Sequence, residues 1–512
     1  MGSHQKRVAV IGAGVSGIVG AKHLKESGLE VVVFERSRQA GGNWVYDERK
    51  PIEPNYPSVT PSIADFVVEG KGERSGVVNG AKSIDGERGY WSEEEELRFA
   101  PPGPAYSGLT NNVSTKLQQL KGFPWKEGTP DFVNVRAKQG YLQSYSKYFR
   151  VETLIRYNTR VEKLQKINGK WWVNSTTLIR DGPRKGKHAN EFEGFDLVVV
   201  ASGHYHSPNV PDIPGLKEWK SRWPERVSHS KAYRRPEDFK DQTVLLIGAG
   251  VSSMDIGREI SQMAQKIYQS SRGGPFDVPK VMLSPETERV AGIASFQHPS
   301  KDQDRPGSVK LVDGTVLTGI DRVVICTGYH FSLPFLRDLH DDSATPEQAI
   351  DTVLVTDGTQ IHNLHKDIFY IPDPTLAFVG IPFYTATFTF FEFQAIAVAA
   401  VFSGRACVPS KEEMQAEYKE RVKQKGAGRG IHDLKGTSVL YVDELAGWLN
   451  NQAEVTGAEK VEGYSKEWQE ESKLIPEKYI KLIKSKDTKG NDSGSALDLQ
   501  SRTKPLEFEN DA

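Results

Sequence analysis

Residues 7–35 read RVAVIGAGVSGIVGAKHLKESGLEVVVFE, and this stretch decides the fold. The apolar run Arg7 to Ile11 predicts a short buried strand. Val15, Ile18, Val19 and Leu24 then recur at roughly helical spacing, and Gly28 stands where a helix C-terminus favours glycine. Leu29 to Phe34 predicts a second buried strand. Strand, helix, strand is a βαβ unit and implies a parallel sheet. Between the first strand and the helix, Gly12, Gly14 and Gly17 spell G-x-G-x-x-G. In that context the first glycine permits the turn, the second lets backbone approach a pyrophosphate, and the third lets helix and strand pack closely. The phosphates sit at the helix N-terminus, where free N–H groups and the helix dipole favour negative charge. Glu35 ends the second strand, placed to accept from ribose hydroxyls. Arg36 follows, then Gly41, Gly42, Asn43 and Trp44. The glycine pair suits backbone that runs past a large dinucleotide, and Trp44 is either a core aromatic or a flank of the cofactor ring.

The pattern recurs at residues 243–253, TVLLIGAGVSS. Gly248 and Gly250 take the first two glycine positions. Ser253 takes the third and, being small, still permits moderately close packing; Ser252 lies in the same turn. Two such loops imply two dinucleotides. After the next predicted strand, KIYQSS at 266–271, no acid appears; the chain continues to Arg272. A 2′-phosphate is repelled by a carboxylate, whereas a guanidinium pairs with it bidentately. The second site is therefore expected to take NADP(H) rather than NAD(H).

Composition narrows the rest. The chain has 512 residues, with 66 basic and 67 acidic side chains and a formal charge of −1. That length suggests two or three domains. The balanced charge argues against nucleic acid or an anionic membrane as partner. Cys326 and Cys407 are the two cysteines, too few for a disulfide framework, and no CxxC pair is present for redox relay or zinc. No apolar signal segment with a cleavage site precedes the first strand, so a cytoplasmic location is expected. His204, His206 and His229 are read as solvated or packed side chains, and no metal site is expected.

The fold class expected is α/β, with two Rossmann-like dinucleotide-binding domains, the second inserted into a discontinuous first. Residues 1–208 and 328–450 form the first domain and 209–327 the second. Residues 47–105 form a loop-rich insertion without a persistent period. A helix is expected from Gly140, and strands near Thr159–Leu164, Trp171–Thr176, Asp196–Ala201 and Arg322–Cys326. The segments SGHYHSPNVPDIPG and TGYHFSLPFL read as crossings between domains. Residues 376–402 are nearly all apolar, but Pro382, Glu392 and Gln394 argue for a strand ending near Gly380 and a helix from about Phe390, not a stable membrane span. Residues 451–512 read as a polar extension with weak helical signals and a disordered tail from Ser485.

Taken in order, the first glycine loop, GGNW, the segment Tyr106-Ser107-Gly108-Leu109-Thr110-Asn111-Asn112, the second loop with its arginine, the TGY crossing and the apolar C-terminal strand and helix resemble the flavin-containing monooxygenases. The resemblance spans roughly residues 6–405. It implies FAD at the first site and NADPH at the second, molecular oxygen as co-substrate, and a small nucleophilic substrate. Such enzymes oxygenate nitrogen or sulfur through a flavin C4a-hydroperoxide. A dedicated small-molecule pathway of secondary metabolism, and a homo-oligomer, are further expectations. Residue by residue, the resemblance implies Asn112 as the catalytic amide. For FAD it implies Gly12, Gly14, Gly17, Glu35, Arg36, Gly42, Trp44, Asn111, Val161 and Gln394. For NADP it implies Gly248, Gly250, Ser252, Ser253, Arg272 and Thr327. No hydrolytic motif or nucleophile pairing is found, and none is needed, because the cofactor carries the chemistry.

The chain also departs from that family. Asn111 stands where threonine is usual. In the signature F-x-G-x-x-x-H-x-x-x-[YFW], Trp223 replaces Phe and Glu225 replaces Gly, while His229 and Tyr233 match. Baeyer–Villiger relatives carry Trp-Pro at its end, and Tyr233-Arg234 does not. That favours heteroatom over ketone oxygenation. A Baeyer–Villiger enzyme and an NADPH-dependent flavin oxidoreductase that does not oxygenate remain the alternative readings.

Overall fold

The computed structural model describes residues 5–63, 91–297 and 307–489. Its helices are α1 (Val15–Glu26), α2 (Glu93–Phe99), α3 (Val135–Tyr148), α4 (Leu216–Arg222), α5 (Val251–Ile260), α6 (Thr387–Phe402), α7 (Lys411–Lys425), α8 (Ser438–Thr456) and α9 (Lys466–Lys489). Strand Arg7–Ile11 pairs in parallel with Glu30–Phe34 on one side and Leu197–Val200 on the other. Leu376–Phe378 extends the sheet next to Leu197–Val200, and Ile155–Arg156 extends it next to Glu30–Phe34. Two short antiparallel strands, Phe369–Tyr370 and Leu364–His365, complete seven.

The strands are apolar throughout because both faces of the sheet are covered. Val8 and Val10 face a core built with Ile18 and Leu24 of α1, Tyr141 and Tyr145 of α3, Ala395 and Val398 of α6, and Val442 and Leu445 of α8. Ala9 and Ile11 face the other way, against Trp171 and Val173 of an antiparallel three-stranded sheet and against Phe335 and Leu354. That second sheet comprises Thr159–Ile167, Lys170–Leu178 and His188–Phe195.

A further sheet is parallel throughout, in the order Thr287–Val290, Lys266–Ser270, Thr243–Ile247, Arg322–Ile325, Val227–His229. Its strands lie between residues 227 and 325, whereas the first sheet takes strands from before 201 and after 363. The unit carrying the second glycine loop is thus inserted into the unit carrying the first. The two crossings meet as a ribbon, with Ser207–Pro208 antiparallel to Tyr329–His330.

Several expectations need correction. The acidic run of the insertion is helical: Ser92 caps α2 in a capping box with Glu95, which satisfies amides that a loop would leave to water. Residues 47–63 are tied to the inserted unit, since Ser58 and Val210 exchange backbone hydrogen bonds and Glu53 accepts from the Tyr56 hydroxyl and the His229 amide. Residues 64–90 of that insertion lie outside the described residues. The helix expected from Gly140 starts at Val135, capped by Asn134. The strand His188–Phe195 was not expected, because its exposed, polar-rich sequence HANEFEGF lacks a buried face. α6 begins at Thr387, and its 16 residues are mostly buried, so the apolar run 376–402 is core. Among the described residues no helix is long and apolar enough to cross a membrane. The polar extension holds a well-formed α9 that runs through Ser485 to Lys489; the remainder of the expected tail lies outside the described residues.

Among the described glycines, the closest approach of backbone is at Gly17. A Cβ there would lie 1.8 Å from the Gly12 carbonyl oxygen. That oxygen belongs to backbone and cannot swing aside. Gly17→Ala should lower stability by about 1–3 kcal/mol, the usual range for overpacking. Urea unfolding followed by circular dichroism would read this, and an unchanged midpoint would refute the constraint.

Candidate functional site

Both glycine loops open into one cavity of about 1620 Å³. Gly14 stands at the N-cap of α1 and Gly250 at that of α5; neither N-terminus has a side-chain cap or an acidic residue in its first turn. Their first amides are therefore available to an anion. α6, whose Thr387 also borders the cavity, has Ala386 at its N-cap and is uncapped in the same way. α2 and α7, by contrast, carry full capping boxes.

At the first loop, the φ of +103° at Gly12 lets the chain turn under the Ala201 carbonyl. Gly14 faces Gly42 backbone to backbone; a Cβ on Gly42 would stand 2.8 Å from the Gly14 Cα. Glu35 is buried, its Oε2 accepting from the Ala13 amide at 2.7 Å and its Oε1 from Ser37 at 2.8 Å. A carboxylate so held keeps lone pairs for a diol. Arg36 lies 3.0 Å from His206 Nδ1, and His206 Nε2 donates to the Ser202 carbonyl at 2.6 Å. Trp44 and Val161 also border the cavity.

At the second loop, a Cβ on Gly248 would meet the Cys326 carbonyl at 2.5 Å, whereas one on Gly250 would meet nothing within 4 Å. The space above Gly250 is open for a ligand. Ser252, Arg272 and Thr327 line the same cavity. Arg272 is exposed and makes no hydrogen bond or ion pair among the described residues. Thr327 Oγ1 donates to the Asn209 carbonyl in the crossing ribbon.

Gly17, Asn111, Ser253 and Gln394 do not border the cavity. Gly17 is spent on helix–strand packing. Ser253 Oγ donates to the Gly250 carbonyl and accepts from Gln269 at 2.8 Å. Gln394 accepts from the Gly380 amide at 2.9 Å and donates to Tyr441 at 3.2 Å, behind the wall. Asn111 has no exposed surface, and its side chain donates to Val113 and Asp131 carbonyls and accepts from the Val133 amide at 2.6 Å. It is the pin of this turn. Asn112, the next residue, is exposed and borders the cavity.

One wall was missed entirely. Trp468, Ser472, Ile475 and Pro476 of α9 line the cavity. Trp468 donates to the Leu117 carbonyl at 3.2 Å and Lys478 to Asp131 at 2.9 Å, while Arg258 of α5 donates to the Ile483 carbonyl at 2.9 Å. α9 thus straps both units. Its signal was the spacing of Trp468, Ser472 and Ile475 at i, i+4 and i+7, one face of a helix in an otherwise polar segment.

Burial keeps His204, His229 and Cys326 neutral. Burial, with Arg429 nearby, pushes His204 down to about 3. Burial also pushes His229 down to about 3 and raises the Cys326 thiol, which is no thiolate nucleophile. His229 accepts from the Lys231 amide at Nδ1 and meets the Gly328 carbonyl with Nε2 at 3.1 Å, so the neutral Nε2–H tautomer fits. Among the described residues no cluster of three or more metal-ligating side chains occurs.

Comparison with known proteins is consistent across sequence and structure. The model of the family described as FMO-like, flavin-binding monooxygenase-like, matches residues 5–62, 88–285 and 288–457. The match stops before α9. Flavin-containing monooxygenase ustF2 of Aspergillus flavus is 41% identical over 504 residues, covering 92% of this chain and 97% of that one. Flavin-containing monooxygenase ustF1 of the same fungus is 38% identical, covering 91% and 88%. Among solved structures, S-allyl-L-cysteine S-oxygenase from Allium sativum superposes with a TM-score of 0.66 at 25% identity, covering 95% of this chain and 98% of that one.

The neutral His229 makes stability pH-dependent. An unfolded histidine takes up a proton near about pH 6.5, whereas folded His229 resists protonation down to about pH 3. The unfolded state then binds more protons as pH falls, so this contribution is complete above about pH 6.5 and shrinks below it. The loss approaches about 1.4 kcal/mol per pH unit for one histidine. Urea titrations between about pH 7.5 and about pH 5 should show a shallower decline in His229→Gln than in the wild type; identical slopes would refute the assignment.

Proposed function

This chain belongs to the flavin-binding monooxygenase-like family, and we propose that it is an FAD- and NADPH-dependent enzyme that places one atom of O2 on a nucleophilic nitrogen or sulfur of a small molecule. The observation that carries this reading is the sharing of one cavity by two uncapped, glycine-built helix N-termini, with Arg272 beside the second and Asn112 on its wall.

The residues present fit both cofactors. The α1 N-terminus and the close approach of Gly14 to Gly42 form a cradle that any Cβ would fill, suited to the FAD pyrophosphate, with Glu35 for its ribose. The α5 N-terminus and the open space over Gly250 suit the NADPH pyrophosphate. Arg272 supplies a guanidinium for the 2′-phosphate. When bound, the flavin supplies the redox chemistry and the activation of oxygen. This chain's residues supply the rest. The free amides of α6 favour negative charge at the wall they face. Asn112 offers an amide that donates and accepts hydrogen bonds without releasing a proton, while Asn111 fixes the turn that presents it. α9 walls one side of the cavity and limits water there. The likeness to an S-oxygenase keeps sulfur in the substrate class beside nitrogen. The similarity to the ustF relatives supports a biosynthetic, secondary-metabolic role.

The purified protein should be yellow, should consume NADPH and O2, and should yield a product one oxygen heavier from an amine or sulfide panel but not from a ketone panel. Oxygenation of ketones instead would overturn the heteroatom reading. Arg272→Ala should cut the preference for NADPH over NADH by about tenfold to a hundredfold, as the loss of a charge-assisted pair of about 1.5–3 kcal/mol predicts; an unaltered ratio removes its role. Asn112→Asp should retain NADPH oxidation but divert oxygen to hydrogen peroxide, read with peroxidase. Full coupling in that variant would remove Asn112 from the chemistry.

A further inference from the structure

Lys138 is a buried lysine with no acidic partner among the described residues. It lies on α3 with no exposed surface. Its Nζ sits 3.8 Å from the centroid of the Phe388 ring and 5.2 Å from those of Trp44 and Trp125. Three rings favour an ammonium through their faces. They do not replace water as hydrogen-bond acceptors, and an unpaired buried ion is among the costliest groups a fold can hold. Burial accordingly pushes Lys138 well below the usual lysine range.

The groups around it are neutral or engaged elsewhere. Tyr141, one turn on, donates to the Phe123 carbonyl and accepts from the Leu120 amide. Glu392, the single acid of α6, is held by His23 at 3.0 Å and by the Lys121 amide at 2.8 Å. Trp44, Trp125 and Phe388 carry no charge. The partner of Lys138 is Oε1 of Gln118, at the end of the turn Thr115–Gln118.

Gln118 turns this burial into a site. It is 3% exposed and borders the cavity. Lys138 Nζ donates to the carbonyl oxygen of that amide. That fixes the amide, and Nε2 has no partner among the described residues. The neighbouring Leu117 carbonyl takes the Trp468 indole of α9, so this corner lies beneath the strap.

We propose that Gln118 and Lys138 form an anion subsite that anchors a carboxylate of the substrate. Gln118 Nε2 donates directly to a carboxylate oxygen. Lys138 acts through Gln118, as a positioning residue, and supplies the positive charge that the bound carboxylate balances. One amide donor with one cation behind it matches a monoanion, whereas a phosphate dianion calls for several charged donors. The substrate class that follows is a small acid carrying a nucleophilic sulfur or nitrogen, such as an amino acid. This rests on the reading of the cavity as the monooxygenase site.

Isothermal titration of the protein loaded with FAD and NADP⁺ tests the subsite, with 3-(methylthio)propanoate and its primary amide as probes. The acid should bind at least about tenfold more tightly than the amide, the effect expected of one charge-assisted hydrogen bond. Lys138→Met and Gln118→Met should each bring the acid to the affinity of the amide. Lys138→Met should also keep or raise the melting temperature, since an apolar side chain replaces an unpaired buried ion. If Lys138→Met does not hold FAD, Gln118→Met, which leaves the lysine in place, decides. Equal affinity of acid and amide in the loaded wild type, or an acid preference that survives in Gln118→Met, overturns the subsite alone. A wild-type protein that takes up no FAD overturns the monooxygenase reading as well.

Discussion

The structure depends on leaving helix N-termini unsatisfied. A helix exposes four amides that nothing inside it can pair, and proteins ordinarily cap them. Here α2 and α7 carry complete capping boxes, while α1, α5 and α6 have Gly14, Gly250 and Ala386 at their N-caps with no side chain turned back on the helix. Those three uncapped ends share a cavity. The omission leaves donors pointing at the space where phosphates and an electron-rich ring would lie. The rest of the fold serves that arrangement. The sheets hold the glycine turns at their carboxyl edges, and the hydrogen-bonded crossing ribbon sets one turn opposite the other.

Holding two such units mouth to mouth requires contacts across the divide. Arg234 is buried without a carboxylate partner among the described residues, and it donates to the carbonyls of Arg49, Gly103, Lys231 and Tyr233. It thereby ties the inserted unit to residues 49 and 103 of the chain before it. Residues 47–63 add Glu53 and Ser58, and α9 adds Arg258 on one side and Leu117 and Asp131 on the other. The cavity wall is thus an assembly of segments distant in sequence.

That distance explains what could be read from the sequence. The glycine loops were legible because strand, turn and helix are local and each glycine answers a local steric demand, as Gly12 and Gly17 show. The inserted architecture was legible because two such units must share the chain. The face that Trp468, Ser472 and Ile475 make was not, because a helix whose outer surface is polar gives a weak period. Asn111 and Asn112 were indistinguishable as residue types; only the backbone partners of Asn111 separate the pin from the presented amide. That Gln394 and Ser253 stand behind the cavity wall was hidden for the same reason, since hydrogen bonds to Gly380 and Gln269 leave no trace in spacing. Nothing in the sequence sets Lys138 apart from a solvated lysine of a helix.

The discontinuity of the first unit also fixes an order of events at the ribosome. Strands 227–229 to 322–325 of the inserted sheet are contiguous in the chain and can close once they have emerged. Strand Leu197–Val200 must wait for Leu376–Phe378 to cover its free edge, and α1 must wait for α6 to bury its apolar face. For the length of the insertion, the nascent first unit therefore shows an open parallel edge and a bare core face, the features that recruit chaperones. A cofactor added early would find its cradle half built, so flavin loading belongs to the end of synthesis.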